Sequence, residues 1–370
     1  MAHIDIDKVR AEIKKQRLTI LLLAVAAVLM AATGQPLGMV PSMVDWKTIA
    51  TLSGLLLLTT GIEESVVIHV LAVRLVHRLH NERTMALFLV FLAAFLSTFV
   101  TNDVALFIVV PLTVSLQRIV QRHGARLVVF EAIAVNVGSS LTPIGNPQNI
   151  FLWHHWGISF PAFVGTMLPL TAIMTGWLFL MTMLSFPARK IHIDPNHTGQ
   201  VDRRLFVVST LLLVAFVISV DMGHAIAFLP VLLLAVLATR WRVFTKCDWG
   251  LILLFIAVFL DVALVCRIGL VRDLLARPDL GNAMVLFVSG ALLSQVISNV
   301  PSTILLAKYS ANFHVIAYAV NVAGNGLVIA SFANLIALRL IDEEHKYRTF
   351  HLFSLLFFAA TAVSTFLLLL

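Results

Sequence analysis

A chain of 370 residues has the length of two or three soluble domains, yet 60% of it is hydrophobic and only 12% is charged, against about 25% charged in soluble proteins. So few charges cannot cover so much apolar surface in water, and the chain reads as a polytopic membrane protein. Lys and Arg outnumber Asp and Glu 26 to 19, a net charge of +7, which here marks cytoplasmic loops rather than a nucleic-acid surface. Cys247 and Cys266 form neither a C-x-x-C pair nor a disulfide framework.

In chain order, residues 1–17 carry Lys8, Arg10, Lys14, Lys15 and Arg17 and read as a cytoplasmic amphipathic N-terminus. The apolar run that follows is expected to stay uncleaved as a first span, because more spans come after it. Nine full spans are predicted, at 18–36, 46–62, 126–150, 160–186, 205–221, 224–239, 249–266, 312–336 and 349–370. Two further apolar stretches, 84–121 and 282–308, each fold about a polar tip, Thr101-Asn102-Asp103 and Ser298-Asn299. An arm of about 16 helical residues covers about 24 Å, short of the ~30 Å hydrocarbon core. Both stretches are therefore predicted as re-entrant helical hairpins. With the N-terminus inside, this topology puts 21 of the 26 basic residues on the cytoplasmic side and leaves Lys47, Arg267, Arg272, Arg277 and Lys308 outside, with the C-terminus also outside.

The two halves share an ordered set of matches. Asp45-Trp46 pairs with Asp248-Trp249, and Leu96-Ser97…Asn102 with Leu293-Ser294…Asn299. Asn136-Val137…Ile144…Asn149-Ile150 pairs with Asn321-Val322…Ile329…Asn334-Leu335 at a constant offset of 185. A first repeat is expected over 18–186, then a cytoplasmic linker and linker span over 187–223, then a second, inverted copy over 224–370. Inverted repeats of this kind build secondary transporters, with sites near the midplane. The sequon Asn196-His197-Thr198 falls on the cytoplasmic linker and carries no meaning there.

Polar backbone enters the membrane at four places. Gly138, Pro143, Gly145 and Pro147 cannot share one unbroken helix, so span 126–150 is predicted to break near 142–147, with Pro147 in the first turn of its second half. Span 312–336 repeats the device with Asn321, Gly324, Asn325, Gly326, Ser331 and Asn334. Each tip also starts a half-helix, capped by Thr101, Asn102 or Asp103 and by Ser298 or Asn299, with Pro301 in the first turn. Four half-helix N-termini then point inward, each with free N–H groups and about half a positive charge. They suit an anion or oxyanion, while freed carbonyls and Asn, Ser and Thr oxygens suit a coupling cation.

The stretch Phe99-Val-Thr-Asn-Asp-Val-Ala-Leu-Phe-Ile-Val-Val-Pro-Leu112, the pattern Leu141-Thr-Pro-Ile-Gly-Asn-Pro-Gln-Asn-Ile150 and the segment Ser298-Asn-Val-Pro-Ser-Thr303 resemble the ion transporter superfamily. That group includes arsenite-efflux permeases, sodium/proton antiporters of the NhaD type, citrate–metal transporters and divalent-anion/sodium symporters. The resemblance implies an all-α fold and a binding site made of Thr101, Asn102, Asp103, Thr142, Gly145, Asn146 and Asn149 from the first half. From the second half it implies Ser298, Asn299, Ser302, Thr303, Asn325, Ser331 and Asn334, with sodium near Asn102, Asp103 and Asn146. It also implies a bacterial inner-membrane location.

Asp103 is a plain cap or a coupling carboxylate, and Asp261, deep in span 249–266, is a coupling carboxylate or a structural partner of Arg267. Glu131 pairs with Arg126 or reaches water, and His154 and His155 sit on an external loop. The expectation is a secondary transporter for a small anion or oxyacid such as arsenite, coupled to H+ or Na+, with a cation/proton antiporter as the alternative. A membrane-embedded enzyme would need a nucleophile–base pair or metal cluster that the sequence does not display. No cofactor is expected. The expected partners are the small ion or oxyacid substrate, membrane lipid and a second copy in a homodimer, with no nucleic acid.

Overall fold

In the computed structural model, residues 17–76, 79, 81–120, 124–190, 201–269, 273 and 278–369 are described. The N-terminal amphipathic segment, the sequon, and the basic residues Arg78, Arg122, Arg272 and Arg277 lie outside them. Among the described residues all regular structure is helical, apart from one isolated bridge between Asn81 and Lys190.

The first helices are α1 (Arg17–Thr33), the short α2 (Val40–Met43) and α3 (Trp46–Glu64). Asp45 starts α3 by accepting the amides of Lys47 and Thr48 at 3.1 and 3.2 Å. Next come α4 (Val67–Val76), the pair α5 (Glu82–Phe99) and α6 (Asn102–Val120), then α7 (Gly124–Ser139) and α8 (Pro147–Trp156). The chain continues through α9 (Phe160–Ser185), α10 (Arg203–Asp221), α11 (Ala225–Lys246) and α12 (Trp249–Val265). A second tip pair, α13 (Ala283–Ile297) and α14 (Asn299–Leu306), precedes α15 (Phe313–Val322), α16 (Phe332–Arg339) and α17 (Lys346–Leu369).

Four of these, α5, α9, α10 and α17, are long and apolar enough to cross a membrane alone, and three bent pairs raise the number to seven. Large apolar side chains face outward along them, among them Leu168, Leu184, Leu211, Leu234, Leu352 and Leu367. Such a belt is unstable in water and is satisfied by lipid.

Helices occupy every predicted span. Three details differ from the sequence reading. Helix α4 was not foreseen; it is apolar but only 10 residues long, too short to span the membrane alone, and buries Val70, Ala72 and Val76. Helix α5 starts at the Asn81 cap and has 18 residues, longer than the predicted arm. His154 and His155 lie in the last turn of α8 rather than on a loop, and His154 hydrogen-bonds Thr51 of α3 at 2.8 Å.

The tip pairs grip the broken helices. Helix α5 packs on α7 so closely that a Cβ on Gly138 would stand 1.8 Å from the Ala94 carbonyl oxygen. Helix α13 packs on α15 and α14 on α8, while α16 crosses to α7 and α6 of the first half. Helix α12 lies against α1, α3 and α14.

Candidate functional site

Both predicted breaks are present. Helix α7 ends at Ser139, turns occupy the next residues, and Pro147 opens α8. Asn146 caps α8, its side-chain oxygen accepting the Asn149 amide at 2.9 Å. Gly145 allows a close approach within the turn: a Cβ there would meet the Ser139 carbonyl oxygen at 2.4 Å. In the second half α15 ends at Val322, Gly326 takes φ +110°, and α16 begins after Ser331.

The breaks bond to each other through a reciprocal set of amides. Asn136 donates to the side-chain oxygen of Asn334 at 2.9 Å, and Asn321 donates to that of Asn149 at 2.8 Å. Ser331 donates to Asn136 and Asn146 donates to Asn321, both at 3.1 Å. Asn334 donates to the Gly324 carbonyl at 2.9 Å, and Asn149 to the Ser139 carbonyl at 3.1 Å. Moving each residue by the offset of 185 converts one member of every pair into the other. The Asp-Trp matches behave alike: the indoles of Trp46 and Trp249 each donate five residues back, to Pro41 and Phe244 at 2.8 and 2.9 Å.

Each tip is tied to its own break. The Asn102 amide donates to the Gly145 carbonyl at 3.0 Å, and the Thr142 hydroxyl to the Thr98 carbonyl at 2.7 Å. In the second half Gln295 does this work. Its amide nitrogen donates to the carbonyls of Ala323 and Asn325, both at 3.0 Å, and its oxygen accepts the Leu327 amide at 2.7 Å.

All four half-helix starts meet at one small cavity. Asn102 and Asp103 of α6, Pro147 and Gln148 of α8, Asn299 and Val300 of α14, and Ser331 and Phe332 at α16 line it, with Leu251 and Phe255 of α12 closing one side. Its volume is about 10 Å³, room for roughly one water molecule. A vestibule of about 390 Å³ leads away from it between α6, α12, α3 and α16, passing Asp103, Glu63, Asp248, Lys246 and Arg339. The tip and break ends thus sit beside a mainly apolar passage that carries five charged side chains.

The predicted site residues divide by what they touch. Asn102, Asp103, Asn299 and Ser331 line the cavity. Asn146, Asn149 and Asn334 spend their amides on the network between the breaks. Thr142 holds α5, and Gly145 makes the close turn. The hydroxyls of Ser302 and Thr303 turn back to carbonyls of their own helix turn, those of Ser298 and Asn299, at 2.8 and 2.6 Å. Ser298 does not cap α14 with its side chain; it adopts φ 74° and ψ 155°, strained for any residue but glycine. Three buried polar atoms around the site have no partner among the described residues: the Thr101 hydroxyl and the Asn299 and Asn325 amide nitrogens. Such orphans cost free energy and are expected where a ligand completes the bonding.

Gln148 and the organising pair Asn136 and Asn321 were not singled out as site residues. Gln148 directly follows the helix-starting Pro147, which is the signal that would have found it. Two expected charge partners are corrected. Arg267 bonds Gln35, not Asp261. Glu131 is fully buried and accepts from Thr113, while Arg126 donates to the Ser185 carbonyl at 3.0 Å and lies over the Phe353 ring.

A family model described as citrate transporter matches residues 12–331. The chain belongs to the citrate transporter family. It is 42% identical to the inner membrane protein YbiR of Escherichia coli over 85% of each chain. It is also 36% identical to an uncharacterized transporter of Methanocaldococcus jannaschii, over 83% of this chain and 84% of that one. An uncharacterized transporter of Mycobacterium tuberculosis matches at 23% identity over 87% of this chain and 84% of its own length. These relatives and the outward apolar belt make this member of the citrate transporter family a multi-pass membrane transporter.

Proposed function

We propose that the chain is a secondary active transporter of a small anion or oxyacid, driven by H+ or Na+ through alternating access. The observation that carries this is the meeting of four half-helix N-termini at one cavity whose walls are tied together by reciprocal bonds between the two halves. Helix starts offer free N–H groups and partial positive charge to an anion without placing a basic side chain there. The orphaned amide of Asn299, which lines the cavity, adds a donor. Nine spans, two re-entrant hairpins and inverted repeats over 18–186 and 224–370 complete the reading, supported by the bonds that exchange under the 185 offset. Lys246 and Arg339 line the vestibule, and both fall on the cytoplasmic side of the proposed topology, so this conformation is inward-facing. The family description supplies citrate as one anion to test.

Asp103 is proposed as the coupling carboxylate, with sodium or a proton beside Asn102 and the Asn146 turn, and Asp261 as its comparison. Asp103 is 7% exposed, lines both cavity and vestibule, and no side chain among the described residues bonds its carboxylate. In proteoliposomes Asp103→Asn keeps size and helix-start geometry but removes the titrating charge. Solute binding should survive while gradient-driven accumulation is lost; accumulation with unchanged pH and sodium dependence removes Asp103 from coupling. A second reading, a cation/proton antiporter, is favoured by one observation: Glu63, Asp103 and Asp248 outnumber Lys246 and Arg339 along the vestibule. Sodium-driven proton release from vesicles without any anion present would select it.

A further inference from the structure

A second cavity lies on the far side of Phe332 from the vestibule. It has a volume of about 440 Å³ and is walled by Leu22 and Val25 of α1, Val258, Val262 and Val265 of α12, the second tip from Val296 to Leu305, and Phe332 and Leu335. Its polar groups are two: the Ser298 hydroxyl and the carboxylate of Asp261. Asp261 is 8% exposed, and both of its carboxylate oxygens are buried without a hydrogen-bond partner among the described residues. Phe332 lines this cavity, the vestibule and the four-ended cavity alike, and its ring packs edge-on against Phe255, centroids 6.4 Å apart. The two aromatic rings therefore separate Asp261 from the substrate cavity. Along α12 Asp261 stands six residues, about 9 Å, beyond Phe255.

The charged groups of the neighbouring helices do not reach it. Helices α2 and α14 carry none. Helix α1 has only Arg17, at its first residue. The charges of α3 are Lys47, Glu63 and Glu64, at its ends, and α16 has Arg339, which lines the vestibule. Arg267 is bound to Gln35, and Lys308 reaches Cys266. Among the described residues no ion pair reaches Asp261. An ionised carboxylate held so, with neither counter-ion nor donor, is among the most costly arrangements in a membrane. A hard cation gathers about six oxygen ligands, and the side chains of this cavity supply only one carboxylate and one hydroxyl.

We propose that Asp261 is a dedicated proton-binding site, separate from the substrate cavity and unable to hold sodium in place of the proton. With the proton on, the neutral acid tolerates the apolar wall of the second tip. With the proton off, the charge needs water, so α14 must draw away from α12 before release. A ligand shifts a conformational equilibrium only through its different affinity for the two states, and here the proton favours the packed arrangement. The use of the proton in coupling rests on the transporter reading; the binding does not.

Dicyclohexylcarbodiimide, an apolar reagent that adds the acid form of a carboxyl across its C=N bond, tests this in the full chain reconstituted in lipid. Mass spectrometry should find the adduct on Asp261. Its rate should fall about tenfold per pH unit above the titration point and stay unchanged when sodium replaces choline at fixed pH. No adduct on Asp261 at acid pH, or protection by sodium, overturns the proposal. If Asp261 labels in this way while no anion binds the protein, the proton site stands and the anion-transport reading falls. If an anion binds while Asp261 stays unreactive, the proton site falls and the anion-transport reading stands.

Discussion

Asn136 and Asn321 each hold the opposite break by accepting one bond and donating another. Replacing either by Ala leaves buried polar partners unpaired, and each such loss costs about 1–3 kcal/mol. Because the two sets of bonds exchange under the repeat offset, Asn136→Ala and Asn321→Ala should lower thermal stability in detergent by similar amounts. A large loss from one and none from the other contradicts the reciprocal arrangement. Ser298 makes the opposite case. Its backbone at φ 74° and ψ 155° costs about 1–3 kcal/mol for a non-glycine residue. Its hydroxyl contacts, at 3.4 and 3.5 Å, are long. Ser298→Gly should therefore stabilise the protein by about 1 kcal/mol after the entropy of glycine is subtracted. A lower melting temperature shows that the hydroxyl, not the strain, governs this tip.

At the scale of elements, breaks were legible because a cluster of prolines and glycines within a few residues cannot share one unbroken helix, and Pro147 and Gly326 mark the two breaks. The caps at Asn81, Asn146 and Asn282 were not named from the sequence, though each is an ordinary asparagine N-cap. Side-chain direction was not legible. An all-apolar run carries no amphipathic phase, so nothing in the sequence says that Asp261 faces away from Arg267, that Glu131 turns to Thr113, or that Ser302 and Thr303 bond their own helix. Helix α4 was missed because its 10 residues, apolar as they are, cover only about 15 Å and cannot span the membrane alone. The proposed re-entrance is tested by cysteine scanning in a cysteine-free background. Cysteines at 83 and 122 should react with an impermeant maleimide only from the cytoplasmic side, and those at 281 and 309 only from outside. Opposite-side labelling of 83 and 122 makes α5 and α6 separate crossings.

For the whole molecule, the account makes α12 a rail along which three spaces follow one another: the vestibule near Asp248 and Leu254, the four-ended cavity at Leu251 and Phe255, and the Asp261 cavity. Phe332 touches all three, so rearrangement of α16 and the second tip would open one passage as it closes another. The central claim is that the four helix starts bind the transported solute. The direct measurement is the melting temperature of the purified protein against citrate, sulfate, phosphate, arsenite and sodium, in the wild type and in Asn102→Ala and Asn299→Ala. A solute present at 100 times its dissociation constant stabilises the folded protein by about 2.7 kcal/mol. The account predicts a saturable rise for at least one anion or oxyacid, lost in both variants while each remains monodisperse. An equal rise in wild type and variants, or no rise with any of these solutes, contradicts it.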